Sequence, residues 1–552
     1  MNYQRIDDPN LGRIQIHTMP VPEHINTEGM KFSCTYTYSG RVLMSYQDPS
    51  IIETDPSAYD AKHYLNLAVM DDDGTNFRHL WSGLEGNRMP CNGVRYMPFP
   101  DNKRIHLGCN ILECEPDIDH CEKATLVPVI YPKMFGEKNE GVWEVWTEVI
   151  VSPDNVHMAW TELHNAFGAN NYVGALRREA DRYVIDDVQC ISSMGFLKTD
   201  PNDSSYLIPK VMRGGEVKQF VKHGTALSIA GGNRAGTSDA VLQDLASESL
   251  TLLTQTPGYD ETVMFSPDEK LGIVMTTRFS PETDPAIFGL LPRPCGKFSN
   301  LGLTTSIYKY AVMSARFTDR KTGLTVRDGN VGPALVDIHR SSSDPSYKGI
   351  SLVSDDRDWV FMSPISWHPN GKKAMWREVL RTDPKWTKRM RIVELLDYVP
   401  GTATYLTPEF PSNIPYAISP EEMASVERFN GKYHGKIKGD HSGWAQFDSE
   451  SGIVTSTSIV YHHFSHDGKT FWDGMEKVHD VRNGDCVYEG KLTMTGEQAG
   501  EMDFRATFRP VDIGIKQNAV SLDFSLADDG KPASYGYATY NGVTLRVDQL
   551  TK

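Results

Sequence analysis

The sequence predicts an all-β fold, because a short turn-and-strand phrase returns along most of its 552 residues. The phrase consists of Ser or His, then Pro, then Asp or Asn, followed by an apolar strand. Pro and Asp or Asn favour tight turns, and Pro cannot sit in the central ladder of a sheet. The apolar segments on the two sides of each turn are therefore expected to pair as antiparallel strands. The copies are Ser152-Pro153-Asp154, Ser266-Pro267-Asp268, His368-Pro369-Asn370 and the weaker Phe99-Pro100-Asp101.

The spacing of these turns predicts the number of repeated units. Together with a turn at Gly40, the prolines at 100, 153, 267 and 369 are separated by about 60, 53, 114 and 102 residues. The last two steps are close to twice the first two, so two degenerate copies are expected, near 205–225 and 315–325. Repeats of this period, with four strands each, are typical of a β-propeller. We predict seven blades within residues 1–420, with six or eight as alternatives.

The pattern changes after residue 420. A short helical stretch at 420–429 precedes alternating strands between 432 and 547, which are separated by turns such as Asn483-Gly484 and Asn541-Gly542. Asn-Gly between two alternating segments is a strong hairpin signal. Residues 421–552 are therefore predicted to form a second all-β domain, and a β-sandwich and a calycin-like β-barrel remain open alternatives.

The repeated phrase resembles the TolB-like, WD40-like (PD40) propeller repeat over roughly residues 25–420. No copy has the complete Ser-Pro-Asp-Gly-Lys of that family, since Asn155 and Glu269 replace glycine and Asn370 replaces aspartate. The resemblance implies the propeller fold. It implies little about activity, because the family includes sugar lyases, gating domains of peptidases and non-catalytic binding propellers. It does not extend to residues 421–552.

Composition and charge exclude several classes of partner. The net charge is −16, from 56 basic and 72 acidic residues, and no basic stripe of the kind that binds nucleic acid is present. No apolar run approaches the ~18 residues needed to cross a membrane. The amino terminus lacks the apolar core of a signal peptide. We expect a soluble protein, cytoplasmic as the sequence stands and extracytoplasmic if a signal peptide has been removed. Its oligomeric state is not indicated.

The sequence gives no firm cofactor signal. Cys109, Cys114 and Cys121 lie close together in the sequence without a CxxC pair. Free thiols, a small disulfide and a zinc site are therefore all open alternatives. The three histidines of His462-His463-x-x-His466 are a weak zinc candidate, because neighbouring residues of a strand point to opposite faces. Nucleotide and flavin signatures are missing. A divalent metal remains an open alternative.

The geometry of the predicted hairpins indicates where chemistry could occur. In each hairpin, the start of the first strand and the end of the second strand lie together, opposite the turn. Charged residues at these positions would line one mouth of the propeller. Arginine could hold a carboxylate through two hydrogen bonds, and His or Glu could act as a general base. The candidates for catalysis are His164, Arg278, Glu162 and Asp260, and the candidates for substrate binding are Arg88, Glu144, Arg377 and Glu378.

These candidates favour an enzyme of the lyase or hydrolase type that acts on a small, oxygen-rich molecule, either anionic or polyhydroxylated. A concave mouth with convergent charged groups is the default hypothesis for an active site. The site could also lie in the cleft between the two domains, where His462, Trp472 and Tyr488 would join it. The alternative is a non-catalytic binding or scaffold propeller, because charged residues at strand ends most often form ion pairs or face solvent.

Overall fold

In the part of the chain that it describes, the computed structural model contains three four-stranded sheets and one sheet each of two, five, eight and nine strands. The predicted all-β propeller is confirmed. The described residues are 3–550 except for 30, 47–63, 85–95, 133–141, 165–167, 193–196, 210–214, 234–236, 281–283, 296–305, 308, 311–330, 357, 381, 382, 384, 426–431, 451–453, 512–518 and 527–528.

The chain begins with a hairpin and then builds the first three blades in order. The innermost strand of each blade comes first, and the following strands lie progressively further out. The hairpin is formed by β1 (Gln4–Asp8) and β2 (Gly12–Thr18). Blade one contains β3 (Ser33–Tyr36), β4 (Val42–Tyr46), β5 (Tyr64–Met70) and β6 (Arg78–Leu84). Blade two contains β7 (Tyr96–Pro98), β8 (Arg104–Leu107), β9 (Asn110–Glu115) and β10 (Lys123–Ile130). Blade three contains β11 (Val142–Val151), β12 (His157–His164), β13 (Gly168–Arg178) and β14 (Tyr183–Ser192).

The remaining blades follow a small hairpin, which is formed by β15 (Leu197–Thr199) and β16 (Leu207–Pro209). Blade four contains β17 (Glu216–Val221), β18 (Ala226–Asn233), β19 (Ser238–Asp244) and β20 (Leu250–Leu252). Blade five contains β21 (Asp260–Phe265), β22 (Leu271–Thr276), β23 (Gly332–Asp337) and β24 (Ile350–Ser351), with helix α1 (Ile338–Ser343) between the last two strands. Blade six contains β25 (Trp359–Trp367), β26 (Lys373–Leu380) and β27 (Lys388–Leu395).

The amino-terminal hairpin closes the ring. Strand β2 pairs with β27 in antiparallel register, from Ile14 opposite Leu395 to Thr18 opposite Arg391. It therefore supplies the fourth strand of blade six, and β1 extends that sheet at its outer edge. Because the two ends of the propeller sequence share one blade, the ring cannot open without breaking this ladder.

The number of blades in the described part of the chain is six, at the lower end of the predicted range. Strand β22 pairs directly with β23, from Leu271 opposite Asp337 to Thr276 opposite Gly332. Residues 277–331 are therefore an insertion inside blade five. This insertion lengthens the step between the turns of blades five and six to about twice the usual length.

One of the two expected degenerate copies is visible in the structure. Near residues 205–225, the turn between β17 and β18 occupies Lys222–Gly224, where His223 and Gly224 have φ values of 64° and 104°. The other copy was expected near 315–325, which lies outside the described residues. The turn of blade four thus keeps the repeated geometry without the Ser-Pro-Asp phrase.

The residues that replace glycine in the phrase adopt the left-handed backbone that glycine favours. Asn155 has a φ of 63° and Glu269 a φ of 57°. Asn tolerates this region and Glu does so rarely. The carboxylate of Glu269 accepts hydrogen bonds from the Lys222 N–H at 2.7 Å and the Thr404 hydroxyl at 2.6 Å. These contacts offset the strain of the turn.

The carboxy-terminal strands form a single antiparallel meander after helix α2 (Pro420–Ser425). A single curved sheet fits the barrel alternative better than a two-sheet sandwich, although β28 and β36 do not pair with each other in the described residues. The division of the chain at residue 420 stays a prediction. The strands are β28 (Lys432–Lys438), β29 (Ser442–Glu450), β30 (Val454–Ser465), β31 (Thr470–Val481), β32 (Cys486–Gly496), β33 (Gly500–Val511), β34 (Ala519–Leu522), β35 (Tyr535–Tyr540) and β36 (Val543–Arg546).

Between the two parts, residues 396–419 cross the face of the propeller that carries the turns. The Gly401 N–H donates to Asp268 in the turn of blade five at 2.8 Å. The His223 ring in the turn of blade four contacts Thr407, and Phe410 stacks on His157 of blade three with ring centroids 3.5 Å apart. The turns of blades three, four and five are therefore in contact with this connecting segment.

Candidate functional site

The same buried pair of side chains occurs on the second strand of blades three and six. In blade three the Trp160 indole N–H donates to Glu162 at 3.1 Å, and in blade six the Trp376 indole N–H donates to Glu378 at 3.2 Å. All four residues are buried. Residues two apart on a strand share a face. The Trp-x-Glu sequence therefore directs each carboxyl group onto the indole that precedes it.

In blade six the carboxylate is paired with a cation. Arg389 lies opposite Glu378 in the β26–β27 ladder, and its Nε donates to Glu378 Oε2 at 2.8 Å. The guanidinium also lies 4.3 Å from the centroid of the Trp359 ring and donates to the Ser354 hydroxyl. Glu378 is thus held in a buried network with Arg389 and Trp376, and its role in substrate binding stays a prediction.

In blade three the equivalent position does not carry a cation. Asn170 lies opposite Glu162 in the β12–β13 ladder, where blade six has arginine. Glu162 is only 4% exposed, and this burial raises the pKa of its carboxyl group to about 7, against the opposing effect of the Trp160 hydrogen bond. Glu162 can therefore bind or release a proton near neutral pH.

Aromatic groups pack against Trp160, the hydrogen-bond partner of Glu162, and an imidazole joins them. The ring of Tyr172 stacks on Trp160 with centroids 5.7 Å apart, and its buried hydroxyl has no hydrogen-bond partner in the described part of the chain. Tyr131 packs edge-on against Trp160, and its hydroxyl is 2.7 Å from Nε2 of His106. Burial lowers the pKa of His106 to about 3, so its ring is neutral. We call Glu162, Trp160, Tyr172, Tyr131 and His106 the blade-three cluster.

The structure brings together two other predicted catalytic residues, Arg278 and Asp260, in blade five. Arg278 Nη2 lies 2.6 Å from Asp260 Oδ2, and both side chains are buried. The other N–H groups of Arg278 donate to the Thr276 hydroxyl and to the backbone carbonyls of Tyr347 and Lys348. These contacts hold the blade together. A catalytic role for the pair stays a prediction.

Asp284 is a titratable residue near this pair that the sequence did not reveal. The Thr277 hydroxyl donates to Asp284 Oδ1 at 2.9 Å. Burial raises the pKa of the Asp284 carboxyl group to about 7, and the nearby charge of Asp260 adds to the effect. Asp284 lies in the insertion, eight residues after β22 ends, so a rule based on strand ends could not identify it.

Arg377, a predicted substrate-binding residue, joins two blades. Its Nη1 donates to the backbone carbonyl of Phe32 at 2.9 Å, and its Nη2 donates to that of Ser363 at 2.6 Å. The first contact links blade six to blade one. Binding of substrate by Arg377 also stays a prediction.

Several predicted residues cannot be placed. Arg88 lies outside the described residues, as do the side chains of His164 and Glu144. Cys109, Cys114 and Cys121 form no disulfide bond within the described residues. Within the described ranges, no group of three or more His, Cys, Asp or Glu side chains could hold a metal ion. No helix of the described residues is long and apolar enough to cross a membrane.

Comparison with known proteins gives only distant similarity. No family model and no curated protein matches the chain. TolB from Acinetobacter baumannii is 15% identical with a TM-score of 0.30, and the match covers 66% of this chain and 65% of that one. An oligogalacturonate lyase in complex with manganese is 12% identical with a TM-score of 0.32, over 71% of this chain and 96% of that one.

A prolyl endopeptidase structure matches at 10% identity with a TM-score of 0.27, over 88% of this chain and 55% of that one. The chain thus spans about two thirds of the TolB and about half of the endopeptidase that it matches. At these values the similarity carries no information on reaction or ligand. The solved structures that this chain resembles include TolB-like propeller proteins, at low identity.

Proposed function

We propose that the protein is an enzyme of the lyase or hydrolase type, in which Glu162 transfers a proton to or from a small, oxygen-rich substrate at the blade-three cluster. One observation carries this proposal. Glu162 is a buried carboxyl group that lacks the arginine that neutralises its counterpart Glu378 in blade six.

The chemistry of the cluster suits proton transfer. A general acid or base works best when its pKa lies close to the working pH. Burial raises the pKa of the Glu162 carboxyl group to about 7. As a base, Glu162 would remove a proton from a carbon atom next to a carbonyl group, or from a water molecule. The Trp160 N–H fixes the orientation of the carboxyl group, and the Tyr172 hydroxyl offers a second hydrogen-bonding group.

The contacts of the arginines favour a polyhydroxylated substrate over an anionic one. Arg278, a predicted catalytic residue, and Arg377, a predicted substrate-binding residue, donate to Asp260 and to backbone carbonyls. An anionic substrate beside Glu162 would also disfavour the ionised form of that residue. Hydroxyl groups could instead bond to Tyr172 and to the carboxyl group without adding charge.

The test is a screen for turnover with a matched pair of variants. The intact protein is incubated with neutral and anionic sugars, glycosides and lactones, and products are detected by mass spectrometry. Replacing Glu162 by Gln keeps the shape but removes the proton-transfer group, and should lower kcat by about 10²–10⁴. The control is Glu489→Gln, which removes an exposed carboxylate that pairs with Arg505 in the carboxy-terminal sheet.

Two results would contradict the proposal. Turnover that persists in the Glu162→Gln variant would place the chemistry elsewhere. The non-catalytic binding propeller would be favoured if no compound of the panel were turned over and one of them bound and was released chemically unchanged.

A further inference from the structure

Arg293 belongs to the insertion of blade five, and its side chain reaches the carboxy-terminal sheet. Its guanidinium and the carboxylate of Glu476 on β31 form an ion pair at 3.2 Å, and both side chains are completely buried. Burying one charge without the other would be strongly unfavourable. The pair therefore joins the inserted segment of blade five to the carboxy-terminal sheet.

The carboxylate that receives Arg293 is already held by the carboxy-terminal sheet. The Tyr461 hydroxyl on β30 donates to Glu476 Oε1 at 3.0 Å, and the Tyr488 hydroxyl on β32 donates to Oε2 at 2.9 Å. Arg293 Nη1 also donates to the Tyr488 hydroxyl, and the guanidinium lies 5.9 Å from the centroid of that ring. Three adjacent strands thus supply a carboxylate held in a fixed orientation and an aromatic ring beside the guanidinium.

We propose that this side of the carboxy-terminal sheet is a binding site for an alkylguanidinium group, and that Arg293 occupies it as a tethered ligand. The recognising groups Glu476, Tyr461 and Tyr488 all belong to one sheet, whereas the cation arrives from another part of the chain. Carboxylate together with an aromatic ring is a favourable receptor for a guanidinium group.

Residues that precede Arg293 also contact the carboxy-terminal sheet directly. The Phe288 ring packs against the rings of Tyr488, Phe504 and Phe508, with centroid distances of 6.0, 5.6 and 5.7 Å. The Trp472 indole N–H donates to the Pro292 carbonyl at 3.0 Å. The Phe288 packing and the complete burial of Arg293 and Glu476 therefore exclude water from the ion pair.

This arrangement gives a role to two residues that the sequence suggested for an interdomain cleft. Trp472 and Tyr488 hold the inserted segment. The third residue, His462, stacks instead on Trp444 with ring centroids 5.0 Å apart. Trp472 and Tyr488 are thus already engaged by the protein's own chain.

The experiment is chemical rescue of the full-length protein. Arg293→Ala removes the cation and the side-chain stem, which leaves space beside Glu476, and it should lower Tm. Ethylguanidinium at millimolar concentration should raise the Tm of this variant by at least about 2 °C, because a ligand that binds only the folded state stabilises it. It should leave unchanged the Tm of the original protein and of Arg505→Ala, which loses an arginine from an exposed pair.

Two comparisons make the rescue specific. Ethylammonium carries the same charge without the planar fork, and it should raise the Tm of Arg293→Ala less than ethylguanidinium does. The double variant Arg293→Ala/Glu476→Gln lacks the carboxylate that would bind the cation, so ethylguanidinium should no longer raise its Tm. Equal effects of the two cations, or no effect of either one, would overturn the proposal.

Failure of Arg293→Ala to fold would not leave the question open. The variant would then be refolded from urea with and without ethylguanidinium, and the yield of soluble protein measured. The proposal requires a higher yield with ethylguanidinium than with ethylammonium, and equal yields would refute it.

Discussion

Blades three and six carry the same Trp-x-Glu pair on their second strands and differ in the residue that lies across the ladder from the glutamate. Blade six places Arg389 opposite Glu378, whereas blade three places Asn170 opposite Glu162. The local backbone and the indole hydrogen bond are alike in both blades. The difference teaches that a single cross-strand residue decides whether this buried carboxyl group is paired with a cation.

The missing arginine has a consequence for stability. The raised pKa of Glu162 means that the folded protein keeps a proton that the unfolded chain loses above about pH 4.5. The free energy of unfolding should therefore fall as the pH rises from about 4.5 to 7, and stay low above this range. In blade six, Arg389 instead forms an ion pair with the corresponding Glu378.

The largest effect is expected when blade six is made to resemble blade three. Arg389→Met removes the cation beside Glu378 and leaves an uncompensated buried carboxylate. The free energy of unfolding at pH 8 should fall by about 3–5 kcal/mol. Urea denaturation measures this loss. A change below about 1 kcal/mol would mean that Glu378 is stabilised by other groups.

The next effect concerns Glu162 itself. Glu162→Gln replaces an acid that must ionise at high pH by a neutral group of the same shape. At pH 8 the variant should be more stable than the original protein by about 3 kcal/mol, and at pH 5 the two should differ by less than about 1 kcal/mol. Urea denaturation at both values tests this. Equal stability at pH 8 would show that Glu162 is compensated in the folded state.

A smaller effect is expected when blade three is made to resemble blade six. Asn170→Arg places a cation opposite Glu162 and should stabilise its ionised form. The fall in unfolding free energy between pH 5 and pH 8 should then shrink by about 1–2 kcal/mol. The same variant should lose activity, because an ionised, paired carboxylate is a poor proton donor and a weak base. A pH dependence identical to that of the original protein would contradict the comparison.

The smallest effect is expected at an exposed ion pair that belongs to neither blade. Arg505→Ala breaks the 2.6 Å contact with Glu489, in which both side chains are about 40% exposed. Exposed pairs contribute less than about 1 kcal/mol. A larger loss in urea denaturation would indicate that the burial argument applied to blades three and six is incomplete.

The sequence predicted the propeller because its turns are local. The Pro-Asp turn and its left-handed fourth position involve a few consecutive residues, and the structure keeps them even where Asn155 and Glu269 replace glycine. The number of blades depends on long-range pairing. The insertion at 277–331 doubles one interval, and only the direct ladder between β22 and β23 reveals that this stretch lies between two paired strands of one blade.

The same limit applies to the candidate site. The rule based on strand ends identified Glu162, Asp260, Arg278 and Glu378, and the structure describes all four as buried. It could not show that Arg278 and Asp260 face each other, or that Arg389 reaches Glu378. Those contacts depend on register and hairpin length, because the cross-strand partner lies 11 residues after Glu378 and 8 residues after Glu162.

The most direct test of the account is a potentiometric difference titration of the folded protein and its Glu162→Gln variant between pH 4 and pH 9. The account predicts that the original protein releases one additional proton with a midpoint near pH 7, the value to which burial raises the pKa of Glu162. A midpoint between about 4 and 5, the ordinary range of a glutamate, would contradict it.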